Sequence, residues 1–461
     1  MPTAAELADW DLRHFWHAFT AMDEYEPLVI ERAQGVWLFD TEGNRYLDGV
    51  SSLWCNLHGH RHPRIDAAIV EQLGRVAHST SLGLANIPAV ELARRLAELA
   101  PGDLEHVFYS SDGASAVETA LKMAFQYWLQ CPSPCPAKTK YIAYDHAYHG
   151  DTIGGTSLGG IERFQALFAP LLFDVIRLPA PDASRLPAEI DPQRGADHYL
   201  AELEEVLEKR HTEVAALVIE PLVQGAAGMI LQPAGYLRGV RELTKKYNVL
   251  LIADEVVTGF GRTGRMFACD HEQVVPDLMC LGKGLSGGYL PLAATVATGE
   301  VFNAFLGDGS QSKTFQHGHT YGGNPLAAAA ALASLDVLEQ ERVLEQMEPK
   351  IVQLAEILAG LQDHPHVAET RQIGLIGAVQ LAADGQTGNP YPAELRAGAA
   401  VCREAIRRGV WLRPLGDVIV IVPPLSISSD ELALLGDVLA ASLDAATLDE
   451  PLGTAVVQSD A

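Results

Sequence analysis

Lys283 follows the apolar run LMCLG and precedes the glycine-rich stretch GLSGG. A charged amine in that setting must be desolvated or paired. A lysine whose ammonium is destabilised by its surroundings acts as an amine nucleophile toward carbonyl carbon. Asp254 and Glu255 end a second apolar run, VLLIAD. A buried carboxylate that stays ionised needs a cationic partner, such as a protonated pyridine nitrogen. The third feature is the turn Ser110-Ser111-Asp112-Gly113-Ala114, leading from a strand into a helix. Unpaired backbone N–H groups at a helix start form a natural phosphate cradle. Each feature alone has an ordinary explanation: lysines snorkel outward, aspartates cap helices, and many turns bind nothing. Together they call for a ligand with an aldehyde, a phosphate and a pyridine-type ring.

The elements that must position these groups are legible as alternation. The short apolar runs HVFYSS (106–111), KYIAYD (140–145), AALVIEP (215–221), NVLLIADE (248–255) and PDLMCLGK (276–283) are separated by amphipathic stretches. That alternation predicts a mostly parallel sheet covered by helices on both faces. All three polar features then sit at the C-terminal ends of strands, where open α/β sheets gather their ligands. After Gly113, the residues Val117, Leu121, Ala124, Phe125 and Trp128 recur at three- and four-residue steps, predicting a helix. The Ala-rich run 326–335 reads as a buried helix. Residues 336–461 change character, with helices expected around 336–361 and 394–409 and strands at 374–381 and 418–422. The expected division is an N-terminal segment, 1–64, joined in space to a smaller α+β domain, 336–448. A large ligand-binding domain, 65–335, lies between them, and the tail 449–461 frays. Residues 179–197 read as a surface excursion.

Composition narrows the partners. The chain has 461 residues, 48% of them hydrophobic, enough for a large buried core. Its 33 basic and 59 acidic residues give a net charge of −26, which disfavours nucleic acid and anionic lipid and leaves small molecules. Six scattered cysteines, with Cys131 and Cys135 the one close pair, fit a reducing compartment rather than a disulfide framework. No stretch approaches the roughly 20 apolar residues of a membrane span. The expectation is a soluble cytoplasmic protein.

The segment LLIADEVVTGFGRTG, with Lys283 following Asp254 by 29 positions in LGKGLSGG, resembles the signature of class III, fold-type I pyridoxal-phosphate aminotransferases. The resemblance extends over about residues 10–445. Further segments are similar to one subgroup, the 8-amino-7-oxononanoate aminotransferases of biotin synthesis. They are DLRHFWHAFTAM (11–22), VSSLWCNLHGHRHP (50–63), SSDGASAVETALKMAFQYW (110–128), AYHGDTIG (147–154), HGHTYGGNPLA (317–327) and WLRPLGDVIVIVPP (411–424).

The resemblance implies roles residue by residue. Lys283 would join the aldehyde of pyridoxal 5′-phosphate and later shuttle a proton between substrate and cofactor carbons. Asp254 would keep the pyridine nitrogen protonated. Gly113 and Ala114 would give N–H groups to the phosphate, and Thr320, near Gly318, would reach the phosphate of a neighbouring subunit in a homodimer with shared sites. Tyr148 would stack on the ring, and Glu220 would stand near its substituents. For the substrate 8-amino-7-oxononanoate, Arg413 would pair with the carboxylate through its planar fork. Trp54 and Tyr148 would line the hydrocarbon channel, with Asp151, Arg262 and Gly318 as further substrate contacts. No metal is implied. The reaction would be ping-pong, with S-adenosylmethionine or lysine as amino donor. Phe19 and Leu53 depart from part of the subgroup, where a tyrosine and a tryptophan stand, and both positions bear on the donor.

Two other readings compete. A broader class III ω-aminotransferase would use the same chemistry on other amines or ω-amino acids. A metallohydrolase would use the alternating His58, His60 and His62, or His317 and His319, as ligands. In the first histidine cluster, Gly59, Arg61 and Pro63 read as a loop, and no carboxylate stands at a supporting spacing.

Overall fold

The computed structural model describes residues 2–307 and 313–446; the expected frayed tail, 449–461, lies outside the described residues. At its centre is a seven-stranded sheet in the order Leu104–Ser110, Ala293–Thr298, Leu278–Leu281, Leu250–Asp254, Val214–Ile219, Lys140–Tyr144 and Ile176–Leu178. Strand Leu250–Asp254 is central and pairs in parallel with both neighbours. Its alternate residues feed two separate apolar clusters. Leu251 and Ala253 point into one, and Leu250 and Ile252 into the other. The second cluster is roofed by helix Gly113–Gln130, through Val117, Ala120, Leu121, Ala124 and Trp128. A strand buried on both faces has no polar side, which is why its sequence is continuously apolar.

The expected α/β class with helices on both faces is what the chain forms. One strand departs from the parallel pattern: Ala293–Thr298 runs antiparallel to both neighbours. Three smaller sheets complete the fold. In one of them, strand Arg45–Asp48 pairs in parallel with Val410–Trp411. Beyond it, the Gly49 carbonyl accepts from Val422 N at 2.9 Å. These contacts lay the segment after Asp48 against the strands Arg413–Leu415 and Val418–Ile421. Helix Pro325–Gln340 runs continuously through position 335, so the boundary expected there falls inside a helix. The 179–197 stretch has little regular structure before Gly195, where helix Gly195–Arg210 begins.

Ile252 is wholly buried in the central strand. Truncation of a branched side chain in such a core costs roughly 2–5 kcal/mol. Ile252→Ala is therefore expected to lower the urea midpoint of unfolding followed by far-UV circular dichroism. An unchanged midpoint would mean the central strand is not the core of the large sheet.

Candidate active site

Five segments leave the C-terminal edge of the large sheet and enclose a cavity of about 500 Å³. Lys283 enters it from the short turn Lys283–Ser286, just after strand Leu278–Leu281. Its backbone has a positive φ of 40°, uncommon for a side chain of this size. Gly282 makes the approach possible, because a Cβ there would stand 3.2 Å from Val256 Cγ1. The lysine is partly buried. Burial pushes its pKa down, and the nearby Asp254 and Glu220 carboxylates pull it partly back. An amine held this way keeps an accessible neutral form, which nucleophilic attack requires.

Asp254 is the last residue of the central strand, and its carboxylate is buried. Its Oδ2 accepts from His149 Nδ1 at 2.7 Å, and its Oδ1 accepts from Val256 N at 3.1 Å. His149 is buried too, and its Nε2 has no hydrogen-bond partner among the described residues. Glu220 accepts from Tyr148 N and Gly225 N, both at 2.9 Å. Burial nevertheless raises its pKa to about 7; proximity to Asp254 adds to the rise and His149 opposes it. The Tyr148 hydroxyl donates to Asp151 Oδ2 at 2.7 Å.

Helix Gly113–Gln130 starts at the cavity. Asp112 caps it by accepting from Ser115 N at 2.9 Å. The first N–H groups of a helix have no partner within it, and Gly113 and Ala114 line the cavity at that point. The cradle depends on missing side chains. A Cβ on Gly113 would stand 2.6 Å from Val256 Cγ1, and one on Gly150, at φ +102°, would stand 2.3 Å from Ala114 Cβ. A helix start, a buried carboxylate and a partly desolvated amine in one cavity fit a phosphorylated pyridine aldehyde.

Lys283, Asp254, Gly113, Ala114, Tyr148, Glu220 and Asp151 thus share one cavity. Trp54 is buried at its side, with its ring centroid 5.7 Å from Lys283 Nζ. Arg413 is half-buried on strand Arg413–Leu415, its guanidinium carbon 5.9 Å from the Phe19 ring centroid. No ion pair satisfies it among the described residues. Phe19 in turn packs at 5.4 Å on Phe164, which meets Tyr148 edge-on at 6.0 Å. Gly318 and Thr320 lie exposed on another surface and do not line this chain's own cavity.

Arg262 departs from expectation. Its guanidinium is wholly buried and donates to Pro423 O, Ser51 Oγ and Asn56 O. Through those donors it braces loops, and it does not line the cavity. Sequence reading also missed His149, whose only signal was its place next to Tyr148. The first histidine cluster of the rival metal reading takes separate partners: His58 contacts Ser334, His60 contacts Asp48, and His62 contacts Glu341, while His317 and His319 lie with ring centroids 5.1 Å apart.

Comparison with known proteins agrees with this arrangement. The family model described as aminotransferase class-III matches residues 19–443. An adenosylmethionine-8-amino-7-oxononanoate aminotransferase of Nitratidesulfovibrio vulgaris is 53% identical over 446 residues, covering 96% of this chain and 82% of its own. The crystal structure of the enzyme of that name from Methanocaldococcus jannaschii superposes with a TM-score of 0.91 at 43% identity, covering 96% of this chain and 99% of that one. A PLP-bound amine transaminase from an uncultivated Pseudomonas species superposes with a TM-score of 0.86 at 38% identity, covering 94% and 98%.

The raised pKa of Glu220 has a definite sign in stability. Between the ordinary 4.5 and about 7 the folded chain holds a proton that the unfolded chain has lost. This residue's contribution therefore falls as pH rises through that window. In the cofactor-free protein, Glu220→Gln should flatten the decline of the thermal midpoint between about pH 5 and pH 7. An identical slope in the variant would show that Glu220 is not the group responsible.

Proposed function

The chain belongs to the class III aminotransferases, and on that premise we propose that it aminates 8-amino-7-oxononanoate to 7,8-diaminononanoate, the biotin-pathway transamination. The observation that carries the reading is the partly buried Lys283 amine sharing one cavity with Asp254 and the helix start, in a chain about half identical to enzymes named for this reaction. Pyridoxal 5′-phosphate is the cofactor of this chemistry; when bound, it supplies an electrophilic carbon for amines and an electron sink for the carbanion left by proton loss.

The residues divide the work. Gly113 and Ala114 bind the phosphate through backbone N–H groups, and Tyr148 covers the ring. Asp254, fixed by His149 and Val256 N, holds the proton on the pyridine nitrogen. Glu220 stands near the ring substituents, tied to Tyr148 N and Gly225 N. Lys283 Nζ would take the proton from the carbon bearing the donor's amino group, and the bound cofactor would carry that nitrogen from donor to oxo acid, water releasing the oxidised donor as a carbonyl compound, with no net redox change. Arg413 receives the substrate carboxylate through its fork, and Trp54 and Asp151 line the path to the reacting carbon. We propose S-adenosylmethionine as donor, as named for the relatives; lysine is the competing donor, because Phe19 offers no hydroxyl to a polar group.

We further propose a homodimer in which Thr320 and Gly318 serve the partner's site. Their exposure, away from their own cavity, supports this, as do the exposed apolar side chains of Phe125, Leu129, Phe302 and Tyr321. Among the described residues no helix is long and apolar enough to cross a membrane. A reducing compartment, the cytoplasm, is supported by six cysteines that are all free thiols.

The visible spectrum tests the reaction. The holoenzyme is expected to be yellow and to bleach with 7,8-diaminononanoate, releasing 8-amino-7-oxononanoate. Lys283→Ala should slow this half-reaction by a factor on the order of ten thousand. A yellow protein that ignores diaminononanoate but bleaches with other amines would leave the broader ω-aminotransferase, the reading favoured by the likeness to an amine transaminase. The carboxylate contact has its own check. Hydrogen bonds to charged groups contribute roughly 1.5–3 kcal/mol. Arg413→Gln should therefore raise KM for the oxo acid by about tenfold to a hundredfold, with a smaller change in kcat. An unchanged KM would remove Arg413 from substrate binding.

A further inference from the structure

Four consecutive residues beside the cavity, Ser51, Ser52, Leu53 and Trp54, have positive φ angles of 51°, 48°, 79° and 67°. None is glycine, the residue that tolerates this region without steric conflict between Cβ and the backbone. A run of such residues persists only where the surroundings over-determine it. Here the surroundings are two wholly buried charged side chains, Asp48 and Arg262. They form no direct ion pair with each other, and each grips the turn. Asp48 accepts from Ser52 N at 2.9 Å, Ser52 Oγ at 2.7 Å and His60 Nε2 at 3.1 Å. Arg262 donates to Ser51 Oγ at 3.1 Å at one end of the turn and to Asn56 O at 3.0 Å just past the other. Ser51 Oγ then donates to Val422 O at 2.7 Å, tying the turn to the segment that follows strand Val418–Ile421.

What this scaffold delivers is the Trp54 indole. Its ring lies over Lys283 Nζ and packs on Gly225, where a Cβ would stand 3.4 Å from Trp54 Cζ3. Gly225 is also the residue whose N–H holds Glu220. A right-handed turn over the same four residues would send the indole elsewhere and open this wall. We propose that Asp48 and Arg262 are positioning residues for the reaction. They hold Ser51–Trp54 in a left-handed turn, and the turn fixes Trp54 as the wall against which the substrate chain is held beside Lys283. The inference rests on the reading of Lys283 as the reacting amine, and it assigns to Arg262 a part in substrate affinity without substrate contact.

A double-mutant cycle on the holoenzyme tests it, because effects that pass through one residue vanish when that residue is removed. The readout is bleaching of the visible band by 7,8-diaminononanoate over a range of concentrations, which separates the half-saturating concentration from the maximal rate. Asp48→Asn is expected to raise half-saturation at least fivefold with less than a twofold change in maximal rate. In a Trp54→Ala background the same substitution should change half-saturation by less than twofold. Ser52→Ala removes one Asp48 contact at a partly exposed position. It should raise half-saturation about threefold in the native background, with an unchanged thermal midpoint, and have no effect in the Trp54→Ala background. If Asp48→Asn does not fold, the Ser52→Ala cycle decides. Equal factors in both backgrounds, or a loss confined to maximal rate, would overturn the proposal. If the native holoenzyme bleaches with 1-phenylethylamine but not with diaminononanoate, the substrate assignment has failed, and the same cycle run with that amine still decides the role of the turn.

Discussion

Everything around the cavity answers to one constraint, the partial burial of the Lys283 amine in its wall. Taking an ammonium out of water disfavours its charge, and the pKa of Lys283 is lowered accordingly. Two buried carboxyl groups, Asp254 and Glu220, lean the other way, although burial raises the pKa of Glu220 to about 7. The chain gives each its own donors. Glu220 has two backbone N–H groups, and Asp254 has His149 and Val256 N. With their lone pairs so engaged, the carboxylates tune the amine's charge while leaving it free to meet a ligand.

Sheet topology makes that arrangement rigid. The strands that end at Asp254 and shortly before Lys283 are adjacent and parallel, with Asp254 level with Cys280. Their relative height is fixed by ladder hydrogen bonds and by cores on both faces. The loops that complete the site are less regular, and strain collects there. Lys283 and the residues Ser51–Trp54 all hold positive φ. Glycine is spent where backbones must touch, at Gly113 against Val256 and at Gly150 against Ala114. Rigid strands set the distance between acid and amine, and strained loops shape the space above them.

The division between strand and loop also explains what could be read in the sequence. Asp254 and Lys283 are legible because each ends a continuously apolar run, and the two charges together, not either alone, call for a ligand. The helix after Gly113 was legible from its period. Strand Ala293–Thr298 was not recognised, and its antiparallel direction leaves no mark, since side chains alternate identically in either direction. The resemblance implies a substrate contact for Arg262, and nothing in its neighbours GFGRTG marks it as buried. Only the folded chain brings Pro423, Ser51 and Asn56 around its guanidinium. His149 escaped for the same reason, its partner Asp254 being over a hundred positions away.

Charge gives the site its direction. A chain with a net charge of −26 repels carboxylates over much of its surface. Arg413 is half-buried, without an ion-pair partner among the described residues, and flanked by the Phe19 ring. Burial lowers its pKa, but a guanidinium starts so high that it stays charged at neutral pH. An unpaired cation beside aromatic surface, in an otherwise acidic protein, concentrates attraction for a substrate carboxylate at one place. Under the proposed reaction both the oxo acid and either donor carry such a carboxylate, and in a ping-pong sequence they occupy the site in turn. In the oxo acid that carboxylate ends the chain far from the reacting carbon, which matches a cation set apart from Lys283 and reached past the apolar side chains of Phe19, Phe164 and Tyr148.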